Sequence, residues 1–147
     1  LGSDHAGYEL KEFLKRHLQN KRIRTKDFGP DSTYSADYPD FAKTVSQSVA
    51  SGQFEIGILV CGTGIGMSIA ANKQPGVRAG LVHDEQTARL ARQHNNANVL
   101  CLGARRTTPE LAIKMINAFF ESHFEGGRHQ RRISKLENGN SNDGKRK

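Results

Sequence analysis

Phe54-Glu55-Ile56-Gly57-Ile58-Leu59-Val60 runs directly into Cys61-Gly62-Thr63-Gly64-Ile65-Gly66, and that into Met67-Ser68-Ile69-Ala70-Ala71-Asn72-Lys73. An apolar strand that does not alternate with polar residues is one buried on both faces, the habit of parallel sheets covered by helices on each side. The glycine-rich turn after it and the helix-forming stretch from about Met67 to Lys73 complete a strand–loop–helix unit.

The same rhythm extends in both directions. Upstream, Leu1-Gly2-Ser3 reads as the close of a strand, so a few residues are expected to precede Leu1. Ala6 to Asn20 follows as a helix with Leu10, Phe13, Leu14 and Leu18 on one stripe. Arg22 to Phe28 is a short strand closed by Gly29-Pro30, and a polar loop, Asp31 to Tyr38, leads to a helix opened by Pro39 with Phe41, Val45 and Val49 at four-residue steps. Downstream come a strand over Val77 to Val82, a helix capped by Asp84 and running to Gln93, and a strand over Asn98 to Gly103. Thr107-Thr108-Pro109-Glu110 then starts a helix that reaches about Ser122. The expectation is an α/β fold: a Rossmann-like, doubly wound sheet of about five parallel strands with helices on both faces.

Composition narrows the function. The 147 residues suffice for one domain, expected over residues 1–138, with residues 139–147 a disordered basic tail. Of the formal charge of +7, residues 127–147 hold seven Lys/Arg against two acids, so the domain proper is nearly neutral. Its aromatics are not interleaved with basic residues, which argues against nucleic acid as a partner. No apolar run approaches the ~20 residues that cross a bilayer, so no membrane association is expected. Cys61 and Cys101, outside any CxxC and with no secretory segment recognisable, fit a reducing cytoplasm. The six histidines show no metal-ligand spacing, and neither a metal nor another cofactor is expected.

In open α/β sheets, ligands bind beyond the carboxyl ends of the strands. The 61–66 loop stands there as either a tight turn or an anion site made of backbone amides at a helix N-terminus. A dinucleotide loop needs glycine at 62, 64 and 67, but position 67 is Met; no GK[ST] follows either. Cys61 is either a reactive thiol beside those amides or a small buried hydrophobe, and Cys101, mid-strand, is read as the latter. His5 has Asp4 beside it as an orienting carboxylate, while His94, followed by Asn95, sits in a polar connection before the last strand. Arg128 and Arg132, four apart, would share a helix face and fork onto one phosphate, with Arg131 pointing elsewhere; the alternative is a solvated basic segment.

Several blocks occur together and in order: Asp4-His5; Asp37-Tyr38-Pro39; Cys61 to Gly66 running into Ser68 to Lys73; His94-Asn95; and Glu125-Gly126-Gly127-Arg128-His129. In this the chain resembles the ribose-5-phosphate isomerase B family, which includes galactose- and allose-6-phosphate isomerases, over about residues 1–136. The resemblance implies aldose–ketose isomerisation of ribose 5-phosphate and ribulose 5-phosphate through a cis-enediolate, a step of the pentose phosphate pathway, without cofactor. It implies Cys61 as the base; the branch that instead uses a Glu six residues on is excluded by Met67. It further implies Thr63 as proton shuttle between O1 and O2, the amides of Gly62, Gly64 and Gly66 on the developing oxyanion, His94 as ring opener and Asn95 on the enediolate. Asp4 and His5 would meet sugar hydroxyls, Tyr38 would line the pocket, and Arg105, Arg128 and Arg132 would hold the phosphate. Family members are dimers or pairs of dimers with shared active sites. Two other readings stand beside this one: an isomerase of a six-carbon sugar phosphate, and a non-catalytic sugar-phosphate-binding module.

Overall fold

The computed structural model describes residues 1–138. Four strands, β1 (Gly2–Ser3), β2 (Gly57–Cys61), β3 (Ala79–Leu81) and β4 (Val99–Gly103), form one sheet, all pairs parallel, in the order β1-β2-β4-β3. Six helices accompany them: α1 (Tyr8–Asn20), α2 (Tyr38–Ala50), α3 (Ile65–Asn72), α4 (Glu85–Asn95), α5 (Pro109–Glu121) and α6 (Arg128–Asn138). The expected disordered tail, residues 139–147, lies outside the described residues.

The unbroken apolar run has the expected cause. All five residues of β2 are buried, and so are all five of β4. Successive side chains point to opposite faces. Ile58, Val60, Leu100 and Leu102 therefore enter one core with Leu14, Met115, Ile116 and Phe119 of α1 and α5. Leu59, Cys61, Val99 and Cys101 enter the other with Val45, Val49, Met67 and Ala71 of α2 and α3. Burying each of the Val, Leu, Ile, Met and Phe side chains among them stabilises the fold by about 1.5–3 kcal/mol. Burial also pushes the Cys101 thiol well above its usual range, in keeping with a structural role.

Two expectations need correction. The strand read over Arg22 to Phe28 is not part of the sheet. That segment meets Leu1 in a single rung, Leu1 N to Lys26 O at 2.7 Å and Phe28 N to Leu1 O at 2.9 Å, with Ser3 N donating to Gly29 O at 3.0 Å. Ser3 N bonds Gly29 O rather than Phe28 O, the next acceptor of a parallel ladder, so the register slips and no ladder develops. And His94-Asn95 is not a connection but the last turn of α4, which ends at Asn96 in the left-handed region (φ 45°). Asn is among the few residues that adopt this conformation readily, so the helix ends two residues later than periodicity suggests.

Two helix starts, those of α4 and α5, carry side-chain caps. Asp84 Oδ1 accepts from Thr87 N at 2.7 Å, and Thr108 Oγ1 from Leu111 N at 3.2 Å.

The candidate active site in two halves

At the carboxyl end of the sheet, β2 stops at Cys61, whose side chain is almost fully buried. Gly64 turns the chain with φ +78°, and its N–H donates to Cys61 Sγ at 3.1 Å, fixing where the sulfur points. A side chain at Gly64 would collide with Leu81 and Leu102, which explains the residue there. Thr63 is exposed, and its Oγ1 accepts from Ile65 N at 3.3 Å. The first intrahelical bond of α3 is Ser68 N to Gly64 O, so the amides of Gly66 and Met67 have no acceptor within the helix.

Two side chains lie directly on this loop. The Arg105 guanidinium covers Gly62: a Cβ there would come within 2.7 Å of Nη1. The Tyr38 ring covers Gly66, with Cζ 2.7 Å from where a Cβ would stand. Arg105 is tied to the loop by its backbone, Arg105 N to Gly62 O at 3.0 Å, while its guanidinium is in no ion pair among the described residues.

Asp4 and His5 follow β1 into the same end, but not as the expected pair. Asp4 Oδ1 accepts from Gly7 N at 3.0 Å, which makes it a buried bracket at the start of α1. His5 is exposed, and its Nδ1 instead meets Ala36, whose N–H lies at 3.2 Å. The carboxylate next in sequence was not the imidazole's orienter because the backbone turn claimed it first.

The segment that delivers Tyr38 is anchored by a group that no local pattern singles out. Lys11 is fully buried, and its Nζ donates to both oxygens of Asp27 (2.8 and 2.7 Å), to Glu12 (2.9 Å) and to Pro30 O (2.9 Å). Burial alone would raise the Asp27 pKa; the ammoniums of Lys11 and Lys15 and the Gly29 N–H hold it well below the carboxylate range instead.

The remaining candidates are elsewhere. α4 leaves the carboxyl end of β3 and runs back toward the start of β4 over 11 residues, about 16 Å of helix. His94 and Asn95 therefore stand at the amino end of the sheet, opposite Cys61. The chain after α5 arrives at the same end, where Glu125 N donates to Gln93 O at 3.0 Å. α6 then packs on α4, burying His129 and Ile133. The helical condition on the arginines is met. At roughly 100° per residue, Arg128 and Arg132 occupy one exposed flank beside the buried stripe and Arg131 faces away from it. Neither Arg128 nor Arg132 is in an ion pair among the described residues.

Sequence reading passed over two neighbours of His94. The His94 and His129 rings are stacked, centroids 4.2 Å apart and 12° from parallel, and Glu125 Oε2 lies 3.8 Å from Nε2 of His94 and 3.5 Å from that of His129. The four-residue spacing of Glu125 and His129 was the available signal. A single chain thus brings together Asp4, His5, Tyr38, Cys61, Gly62, Thr63, Gly64, Gly66 and Arg105, and separately His94, Asn95, Arg128 and Arg132.

Among the described residues, no helix is long and apolar enough to cross a membrane. Comparison with known proteins agrees with the geometry. The family model described as Ribose/Galactose Isomerase matches residues 1–136. A protein of Mycoplasma genitalium described as a probable ribose-5-phosphate isomerase B is 49% identical over 138 residues, covering 92% of this chain and 91% of that protein. The ribose-5-phosphate isomerase B of Clostridium thermocellum superposes with a TM-score of 0.94 at 42% identity, with 95% of each chain covered. The crystal structure of ribose-5-phosphate isomerase B from M. genitalium, holding ribulose 5-phosphate, gives 0.92 at 48% identity, covering 96% of this chain and 94% of that one. With a buried thiol under a glycine loop at the end of a central parallel strand, and a match that runs nearly end to end, the chain belongs to the ribose/galactose isomerase family.

Proposed function

We propose that this chain is a cytoplasmic ribose-5-phosphate isomerase that works as a dimer, each active site joining the Cys61 end of one chain to the His94 end of the other. The observation that carries the reading is the Cys61 thiol, held by the Gly64 N–H at a strand end, with the Arg105 guanidinium lying over the neighbouring Gly62 and in no ion pair among the described residues. Its distance from His94 within one chain is what the dimer resolves. A site built across a two-fold axis forms twice, because each chain gives one half to each site.

The residues then divide the chemistry. His94 protonates the furanose ring oxygen and opens the sugar. Cys61 Sγ removes the proton from C2 of the open aldose, leaving a cis-enediolate, and returns a proton to C1. Thr63 carries the proton between O2 and O1 as the carbonyl moves from C1 to C2. The Gly66 amide, free of any helical acceptor, donates to the developing oxyanion with Gly62, a preorganised arrangement of the kind that contributes most to such barriers. The Gly64 amide is directed at the sulfur and acts there. Asn95 holds the enediolate, Asp4 and His5 meet the sugar hydroxyls, Tyr38 walls the pocket, and Arg105, Arg128 and Arg132 neutralise the phosphate dianion. No cofactor takes part.

The test is a coupled assay of the purified protein on ribose 5-phosphate and allose 6-phosphate. The reading expects ribose 5-phosphate to have the higher kcat/KM. Preference for the six-carbon substrate would keep the chemistry and change the substrate, and no turnover of either would leave a binding module.

A further inference from the structure

Three side chains in the amino-end half have a geometry that proton transfer alone does not require. Each of His94, Glu125 and His129 can offer one ligand atom, and these atoms lie within 4.8 Å of one another. The Glu125–His94 and Glu125–His129 separations are 3.8 and 3.5 Å. Ligands at 2.0–2.2 Å around a tetrahedral zinc lie roughly 3.4 Å apart, so two edges of the set are already close to closed. The third, between the stacked imidazoles, needs the largest adjustment.

The placement is also suited to capture. Glu125 is held by its backbone bond to Gln93 O, so the carboxylate is tethered to the last turn of α4. The Gly126-Gly127 reversal returns the chain so that His129, in the first turn of α6, faces back to it. Within one chain His129 is buried whereas Glu125 and His94 are open on the side that the proposed dimer turns into the substrate pocket, which gives an ion both an entry side and room for water.

We propose that His94, Glu125 and His129 form a three-ligand site for a borderline divalent transition-metal ion of the zinc class. Two imidazoles and one carboxylate favour zinc, nickel or copper over magnesium and calcium, which select oxygen ligands. The fourth position is left to water, as in open zinc sites. An ion there occupies the His94 lone pair, so metal and ring opening exclude each other and the metal acts as a reversible inhibitor. That effect on turnover rests on the role of His94 given above; the binding does not. The linear spacing hides the site because its ligands come from two segments 31 residues apart at the nearest.

The test is zinc titration of the full chain against a chromophoric chelator, alongside Glu125→Gln and His129→Gln. Expected is one zinc per chain, and a loss of about 100-fold or more in affinity in each variant, since even outer-shell partners are worth roughly 10–100-fold. Glu125→Gln alters a half-exposed side chain and keeps the test valid should His129→Gln not fold. Zinc should inhibit the wild type, a chelator should restore it, and magnesium should do neither. Absence of stoichiometric uptake, affinity unchanged in Glu125→Gln, or zinc binding abolished by Cys61→Ser would overturn the site. A chain that binds zinc through Glu125 and His129 but turns over no sugar phosphate sinks the isomerase reading alone. One that turns over and takes up no zinc sinks the site alone.

Discussion

The two halves of the candidate site are built in opposite ways. The Cys61 half is mostly backbone: a strand end, a positive-φ glycine and the first turn of a helix, stitched to β4 by Ala104 N to Cys61 O and Arg105 N to Gly62 O. The His94 half is all side chain, projected from two packed helices, with its arginines in solvent. A backbone-built half is preorganised and tolerates little change, and a side-chain half facing solvent is the one the proposed dimer would complete. The contrast explains why one chain carries so much unpaired polar chemistry at both ends.

The largest effect should fall on the rigid half. Cys61→Ser removes the proposed base and should lower kcat by more than ~100-fold, the lower range of general acid–base contributions. KM should change little, because Arg105 and the amides remain. A variant that keeps more than a few percent of wild-type kcat, measured on ribose 5-phosphate, would shift the base elsewhere in the loop.

His94→Ala should cost about as much or somewhat less on the cyclic sugar. The sharper readout is erythrose 4-phosphate, too short to close to a furanose with its C4 oxygen esterified. If that substrate is accepted, its loss should be far smaller than that on ribose 5-phosphate. Equal losses would end the ring-opening role.

The arginines should follow. A guanidinium fork on a phosphate contributes roughly 1.5–3 kcal/mol, so Arg128→Ala and Arg132→Ala should each lower kcat/KM about ten- to a hundred-fold. Lysine should rescue only partly. Arg131, about 60° round the helix from Arg128 and about 100° from Arg132 and opposite the buried stripe, should tolerate Ala. An equal loss at Arg131 would mean that general basic charge, not one helix flank, holds the phosphate.

The order of these halves along the chain made one of them legible and the other not. The Cys61 half is contiguous, so its strand, loop and helix could be read with their reasons, even though Gly62 and Gly66 turned out to lie beneath Arg105 and Tyr38, contacts no local pattern encodes. The His94 half comes from two segments brought together only when α5 and α6 pack against α4. Local spacing could suggest the Arg128–Arg132 face but not its meeting with His94, nor the Glu125–His129 neighbours. Charge pairing misleads in the same way: adjacency makes Asp4 the natural partner of His5, whereas the turn to Gly7 takes the carboxylate. The buried Lys11, spaced as one more surface lysine, shows that burial of a charge is settled by distant acceptors.

That lysine network gives the smallest and most conditional effect. Asp27 is ionised well below the ordinary carboxylate pKa, so its contribution is complete above about pH 4 and fades as pH falls further. Asp27→Asn should therefore cost stability at pH 7, about 1–2 kcal/mol given its partial exposure, with the gap closing in acid. Urea unfolding at pH 7 and pH 3 measures it, and a gap that does not narrow would remove the electrostatic account of how the loop to Tyr38 is held.

Mixing the two crippled chains tests the central claim most directly. If each site joins the Cys61 end of one chain to the His94 end of another, Cys61→Ser and His94→Ala damage different halves. A mixed dimer then holds one site with both lesions and one with none. Equal amounts, unfolded and refolded together, should recover roughly one quarter of wild-type activity, since half the random dimers are mixed and each has one intact site of two. Recovery no greater than the sum of the two variants refolded separately would place Cys61 and His94 in the same site of the same chain, and contradict the division described here.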